Sequence, residues 1–323
     1  MESIIEVKNL TKKYESLTAV DSISFSISKG EIFGFLGPNA AGKTTTINML
    51  IGMAKITDGK IFYKNNDITN KIKKFQGCIG VVPDESNLYE ELTGFENLCF
   101  CASLYGIKRS KREAKAKQFL EIFQLSDAAD KRFKSYSKGM KRKLTIAASL
   151  VHDPEILFLD EPTTGIDVAS SRQIRSLIKN LNEDGMTVFL TTHYIEEAER
   201  LCERIAFINK GRIIKIGKVQ NFIEDISQSN IIEVLFESTP IDKNVLLEKL
   251  KQSFPELECS FKNENTIKLI STSKIDVSPV VSFLSSNGIY ILEAKLIRPT
   301  LEDAFVKLTG IELDVMKKEK EKK

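Results

Sequence analysis

Long apolar runs are missing from this chain. No stretch approaches the ~18 apolar residues of a membrane-spanning helix, and the N-terminal segment has no signal-peptide core. The expectation is a protein that works in solution and meets a membrane only through a partner. Histidine is scarce, with only His152 and His193, and the five cysteines (Cys78, Cys99, Cys101, Cys202, Cys259) are odd in number with no Cys-x-x-Cys pair. That count disfavours a zinc site and a disulfide framework, and a reducing cytoplasm is the expected setting. An excess of one charge is missing too. Lys+Arg 47 against Asp+Glu 44 leaves +3, and the tail Lys317–Lys323, with five lysines and two glutamates, accounts for all of it. The remainder is neutral, which argues against a large nucleic-acid-binding surface. The tail reads as a frayed, solvated end. Internal repeats are absent, and low complexity is confined to that tail.

What is present is ordinary globular material. The 323 residues are 42% hydrophobic and 28% charged, enough for a sizeable core, and the length favours two domains. Ile23, Phe25 and Ile27 alternate with serines, a strand with one buried face. The apolar run 31–36 has the character of a central strand. From about Leu88 to Val151 the period turns helical. Ser110 and Glu113 are placed for a capping box ahead of Ala116, Phe119, Leu120 and Phe123, and Leu144, Ala147, Ala148 and Val151 form a second stripe stopped by Asp153-Pro154. Strands return at Ile156–Leu159 and Thr187–Thr191, with Ile174, Leu177, Ile178 and Leu181 on one face of the helix between them. This alternation predicts a mainly parallel α/β sheet with a helical insertion. Asn209-Lys210-Gly211 marks a hairpin. After about Gln228 the order strand 231–237, helix 243–253, strand 257–262, strand 266–271, helix 276–287, strand 290–297 is βαββαβ, a ferredoxin-like arrangement. A last helix is capped by Thr300 with Asp303 three residues on. The expected domains are 1–228, with its helical subdomain at about 88–151, then 229–312, then the charged tail 313–323.

One local pattern carries chemistry. Gly37-Pro38-Asn39-Ala40-Ala41-Gly42-Lys43-Thr44 matches the phosphate-binding loop, in which successive backbone N–H groups wrap phosphate oxygens that larger side chains would block. The following helix points its positive end at the anion. Lys43 is placed for the β- and γ-phosphates, and the Thr44 hydroxyl for magnesium. The second element, Ile156–Glu161, is an apolar strand ending in two carboxylates. Asp160 is placed to hold the metal, and Glu161 to polarise a water toward the γ-phosphate. His193 ends another such strand and on its own reads as an ordinary loop or helix-start histidine; His152 reads as an ordinary residue near a helix end.

Together these residues resemble a family. Tyr14, the loop 37–45, Tyr136-Ser137-Lys138-Gly139-Met140, Ile156–Glu161, Gly165-Ile166-Asp167 and His193 occur in the order seen in ABC-transporter ATPase subunits, over about residues 4–220. The resemblance implies an α/β P-loop NTPase cassette, with N-terminal antiparallel strands, a mainly parallel sheet and a helical subdomain, followed by the small α+β domain. It implies ATP and Mg2+ as cofactors, with Tyr14 on adenine, the loop through Thr45 on the phosphates, and His193 on the γ-phosphate and water. Ser137 and Gly139 would meet the nucleotide of a second ATP-binding subunit in a head-to-tail dimer of two equivalent copies, and Asp167 would cross that interface. The signature here reads Tyr-Ser-Lys-Gly-Met where Leu-Ser-Gly-Gly-Gln is usual, so Lys138 replaces a glycine. Ala40 also replaces a glycine, which is tolerable where φ is negative. Asp84, after Pro83, stands where glutamine is usual. It can still ligate magnesium, but it adds about 3 kcal/mol of repulsion at ~6 Å from phosphate before the metal offsets it.

The segment Arg298 to Gly310 is similar to the C-terminal extension of ATPase subunits of type 2 exporters, which include sodium, drug and antibiotic efflux systems. That resemblance implies transmembrane permease subunits as partners and an indirect place on the inner face of the cell membrane. Tyr89, Leu92, Phe95, Leu98 and Phe100 border the surface that receives a permease helix in this family, and most are expected in the core. Two alternatives are a soluble ABC-type ATPase acting on nucleic acid or the ribosome, and a nucleotide switch without turnover. The single P-loop and the absence of sustained heptads disfavour the first; Glu161 and His193 disfavour the second.

Overall fold

The computed structural model describes residues 2–226, 230–238, 242–271, 275–297 and 300–310. Arg298, Pro299 and the tail 313–323 lie outside the described residues. Along the chain run β1 (Ser3–Tyr14), β2 (Leu17–Ser28), β3 (Ile32–Leu36), α1 (Lys43–Leu50), β4 (Asp58–Tyr63), β5 (Asn66–Asp67), β6 (Ile79–Val82), α2 (Gly94–Leu104), α3 (Arg109–Ile122) and α4 (Lys138–Leu150). There follow β7 (Ile156–Asp160), α5 (Val168–Glu183), β8 (Thr187–Thr192), α6 (Ile195–Leu201), β9 (Arg204–Asn209), β10 (Arg212–Lys218) and α7 (Val219–Ile226).

Two sheets build the first compact unit. One is antiparallel, in the order β2-β1-β4-β5; the other runs β10-β9-β3-β8-β7-β6. In the second, β9, β3, β8, β7 and β6 are mutually parallel, and β10 returns antiparallel through the Asn209-Lys210-Gly211 hairpin. Phe25 on the first sheet stacks on Phe33 of the second at 5.6 Å, and Phe33 continues to Phe189 at 6.1 Å and Phe189 to Phe158 at 5.5 Å. Such pairs add about 0.5–1.5 kcal/mol each beyond their burial, so this aromatic column fastens the sheets together. Because β3, β6, β7 and β8 run parallel, their C-terminal ends share one edge. That topology brings together Gly37, Asp84, Asp160 and His193, residues far apart in sequence.

The helical insertion differs from expectation in two respects. The Ser110–Glu113 box does not form: α3 begins at Arg109 with Lys108 as its uncapped N-cap, and Glu113 pairs with Arg109 at 2.9 Å. Ser110 is already inside the first turn, so its hydroxyl is misplaced for the cap. The box forms instead on α2, where Thr93 accepts from the Glu96 N–H at 3.1 Å and Glu96 accepts from the Thr93 N–H at 2.8 Å. Second, of Tyr89, Leu92, Phe95, Leu98 and Phe100 only Leu98 is fully buried, and Tyr89 is 57% exposed. The reason is Asn97, itself fully buried. It accepts from the Tyr89 N–H and donates to the carbonyls of Tyr89 and Thr93, which pins 89–93 as a loop on the surface.

The second compact unit spans Gln220–Lys307, so the division falls at Val219 rather than at 228; β10 ends the first unit's sheet at Lys218, and all of α7 after Val219 groups with the second unit. The remaining elements are β11 (Asn230–Phe236), α8 (Lys243–Ser253), β12 (Glu258–Asn263), β13 (Thr266–Ser271), α9 (Val277–Ser286), β14 (Ile291–Ile297) and α10 (Leu301–Thr309). The sheet β12-β13-β11-β14 is antiparallel throughout, as a ferredoxin-like βαββαβ chain requires. Ile232, Val234 and Phe236 of β11 share a core with Leu246 and Leu250 of α8 and Leu284 of α9. Asp303 accepts from the Thr300 N–H at 2.8 Å, the expected start of α10.

Candidate functional site

The loop 37–42 leaves β3 and delivers the chain into α1. Gly42 caps that helix at φ +103, where any Cβ would also lie 2.7 Å from the Ala19 carbonyl oxygen, so only glycine fits. No side chain caps α1 and its first turn holds no acid, so its N–H groups and positive dipole end serve the cleft. Ala40 corrects the expectation of negative φ: it sits at +60°, the left-handed region that costs an L-residue about 1–2 kcal/mol. The loop's shape is set elsewhere. Ala41 N–H donates to the Pro38 carbonyl at 3.2 Å, and the Ala41 carbonyl accepts from Gly211 N–H of the β9–β10 hairpin at 3.0 Å.

Lys43 is buried. Its Nζ donates to the Gly37 carbonyl at 2.8 Å and the Pro38 carbonyl at 3.0 Å, and lies 3.2 Å from Glu161 Oε1. Glu161 is also buried, with backbone φ +50 just past the end of β7. Its N–H donates to the Thr191 carbonyl at 3.1 Å, and Oε2 accepts from Thr164 Oγ1 at 3.0 Å and meets His193 Nδ1 at 2.7 Å. Strain of this kind persists only where surroundings over-determine it, as these four bonds do. Burial alone would raise the Glu161 pKa, but hydrogen bonding to His193 and the charge of Lys43 outweigh it and hold the carboxyl below its ordinary value. Glu161 is therefore an anion at neutral pH. A carboxylate only accepts, so His193 Nδ1 carries the proton and Nε2 is left for the cleft.

Asp160 lies behind this pair, buried at the end of β7, with Oδ1 accepting the Thr191 hydroxyl. Thr44 and Asp84 are exposed and line the cleft with oxygen donors of the kind Mg2+ takes, whereas Asp160 does not line it. No group of three or more His, Cys, Asp or Glu residues among the described residues could hold a metal alone. The cleft, of about 1130 Å³, is lined by Tyr14, Asn39, Ala40, Gly42, Lys43, Thr44 and Thr45, by Asp84, and by Glu161 and His193. Tyr14 is half exposed, with Lys12 Nζ 4.5 Å from its ring centroid. Gly37, Pro38 and Ala41 underlie the loop rather than line it.

Ser137 and Gly139 do not line their own chain's cleft, whereas Lys138 does. Ser137 caps α4, accepting from the Met140 N–H at 3.2 Å. Gly139 is committed to packing: a Cβ there would lie 2.4 Å from Ser170 Oγ and 2.6 Å from Ser170 Cβ on α5. Asp167 caps α5, accepting from Ser170 N–H at 2.9 Å. Sequence reading missed several contributors. Lys210 and Gly211 line the cleft from the hairpin. Arg142, one turn into α4, is buried and donates to the Pro83 carbonyl at 2.5 Å and to the Asp84 carbonyl. It thereby fastens the turn carrying Asp84 to the helix that Ser137 opens. His152 stacks on Tyr105 at 3.7 Å, remote from this chemistry.

Comparison with known proteins gives the family. The ABC transporter family model matches residues 20–164. The linearmycin resistance ATP-binding protein LnrL of Bacillus subtilis is 37% identical over 317 residues, covering 95% of this chain and 98% of the relative. Nod factor export ATP-binding protein I of Paraburkholderia xenovorans is 37% identical over 317 residues, covering 97% and 99%. A dimeric ATP-binding cassette solved in a post-hydrolysis state with ADP and phosphate is 28% identical at a TM-score of 0.61, covering 66% of this chain and 98% of its own. Relatives at this identity over nearly the full length show that the chain belongs to the ABC transporter ATP-binding proteins and is an ATPase.

Proposed function

We propose that the chain powers an exporter: it hydrolyses MgATP between two copies of itself arranged head to tail and passes the closure of that dimer to transmembrane permease subunits. The observation that carries the chemistry is Glu161, held ionised 3.2 Å from Lys43 and 2.7 Å from His193. A γ-phosphate entering the cleft competes with Glu161 for Lys43 and frees one carboxylate oxygen to accept a proton from the attacking water. His193 Nε2 and Lys43 then stabilise the charge that develops on the phosphoryl oxygens. Magnesium would be held by Thr44, Asp160 and Asp84 and would neutralise the β- and γ-oxygens.

The second copy completes the site in this reading. Ser137 presents a hydroxyl and a helix N-terminus on the exposed face of the chain, suited to a phosphate in the facing subunit. Export rests on the two relatives, one named for linearmycin resistance and one for Nod factor export. No described helix is long and apolar enough to cross a membrane, so attachment to its inner face would run through the permease. Phosphate release by the wild type and by Glu161→Gln tests the chemistry, with turnover expected to fall about a hundredfold or more. ATP-dependent pairing of that variant and co-purification with a membrane protein test the assembly. A fully active Glu161→Gln refutes the site.

A further inference from the structure

Behind the cleft sits an acid that the chemistry above does not use. Glu197, in the first turn of α6, is 2% exposed. Its Oε1 accepts the Thr163 hydroxyl at 2.8 Å, and Oε2 is sealed from solvent without a hydrogen bond of regular geometry. Burial pushes its pKa up, against the pull of the Thr192 and Thr163 hydroxyls and of Arg175 and with the repulsion of Glu161. A buried, unpaired carboxylate would be costly, and the neutral acid is the form this pocket suits.

The two segments it meets are the ones that carry the reacting groups. Thr163 lies two residues after Glu161, between it and Asp167, in the loop whose Thr164 bonds the Glu161 carboxylate. Glu197 itself follows His193 by one helical turn; the Glu197 N–H donates to the Tyr194 carbonyl at 3.1 Å. The Thr163–Glu197 bond thus ties the general-base loop to the start of α6, just after His193 in the chain. We propose that Glu197 is a positioning residue for hydrolysis, fixing through Thr163 the separation of Glu161 and His193. This rests on Glu161 and His193 having the roles assigned above. The tie makes no direct bond to residues 37–45 and reaches them only through Glu161, which meets Lys43 at 3.2 Å, and Thr192, whose carbonyl accepts from Gly37 N–H, so its loss is expected to act chiefly on the reacting geometry. Displacing a base by an ångström can cost about a hundredfold in rate.

The test is steady-state ATP hydrolysis by the full chain carrying Glu197→Ala, Glu197→Gln, Thr163→Val or the Thr163→Val/Glu197→Ala pair. Glu197→Ala and Thr163→Val are each expected to lower kcat about tenfold or more with KM for ATP changed by less than about twofold. The double variant should fall no further, since both remove one bond. Glu197→Gln, a neutral isostere that still accepts from Thr163, should restore kcat to within about threefold of wild type. Thr163→Val keeps the question open to decision if Glu197→Ala does not fold. Wild-type kcat in Thr163→Val, a rise in KM at constant kcat, or additive losses in the double variant would overturn the proposal. Full activity in Glu161→Gln would instead overturn the site on which it rests.

Discussion

Gly139 separates two explanations of the same glycine, and a substitution cycle decides between them. A Cβ at Gly139 would lie 2.4 Å from Ser170 Oγ and 2.6 Å from Ser170 Cβ, against an ordinary carbon–carbon separation of about 3.5–4.0 Å. Rotating Ser170 about χ1 moves the hydroxyl but not Cβ, so the overlap of roughly 1 Å with Cβ persists. Both helices are pinned near this point, α4 by the Ser137 cap and α5 by the Asp167 cap. Gly139→Ala is therefore expected to destabilise by about 1–3 kcal/mol, the usual cost of overpacking. Ser170→Gly alone should cost about 0.5–1 kcal/mol as a glycine inside a helix. Together they should cost less than the sum, with a coupling of about 1–2 kcal/mol, because the second change removes the obstructing Cβ. Denaturant unfolding of the four chains measures the cycle; at about 2–4 °C per kcal/mol a thermal scan resolves it too. A Gly139→Ala chain within about 0.5 kcal/mol of wild type, or a cycle without coupling, refutes the packing argument. ATP hydrolysis measured on the same chains adds the functional half. Stability that recovers in the double variant while turnover does not would place a second demand on Gly139, the approach of a phosphate from the facing subunit.

Asp84→Gln should hydrolyse ATP faster than wild type at low magnesium and converge with it at saturation, since the exchange removes a charge whose repulsion the metal must offset, about 3 kcal/mol at ~6 Å. The exchange removes the Asp84 carboxylate's 3.8 Å contact with Arg142 but keeps the carbonyl bonds of Pro83 and Asp84 to it, which hold the turn; superimposable magnesium titrations would defeat this expectation. Ala40→Gly should raise stability by about 0.5–1 kcal/mol, the relief of left-handed strain less the extra freedom of glycine in the unfolded chain. A loss of stability in denaturant melts would contradict the φ of +60°. Glu197→Gln should alter how stability depends on pH. The Glu197 pKa is raised in the folded chain, so the wild type is fully stabilised below the ordinary glutamate value of 4.5 and loses stability as pH rises from there toward the folded value. The variant lacks that loss and should gain on the wild type as pH rises above 4.5 toward the folded value, with the two converging at lower pH. A difference constant with pH would refute the buried neutral acid.

What could be read in the sequence and what could not divides along how local each constraint is. The phosphate loop was legible because its chemistry needs contiguous backbone N–H groups, so Gly37 to Thr44 had to be adjacent residues. The strand ends at Asp160 and Glu161 were legible because an apolar strand ending in a polar group is itself a local pattern, and a parallel sheet places all such ends on one edge, whereas His193 stood out only through the family resemblance. The ferredoxin-like strands of the second unit were legible for the same reason: β11 to β14 each begin and end within a residue or so of the pattern read from alternation. The expected Ser110–Glu113 box and the Thr93–Glu96 box that forms instead are equivalent as local sequence. Which one forms depends on where each helix starts: Thr93 is the N-cap of α2, whereas α3 starts one residue before Ser110. The sign of φ at Ala40 was not local either: the next residue, Ala41, is bonded by Gly211 of the hairpin from far along the chain. Arg142, Glu197 and Ser170 were invisible for that reason as well: each matters only through a residue of another segment, Pro83, Thr163 or Gly139, that the fold delivers. The groups that do chemistry here announce themselves by their own neighbours in sequence, whereas the groups that hold them in register have no local signature. Substitutions at Arg142, Thr163 and Glu197 should therefore disturb catalysis more than their ordinary sequence contexts suggest.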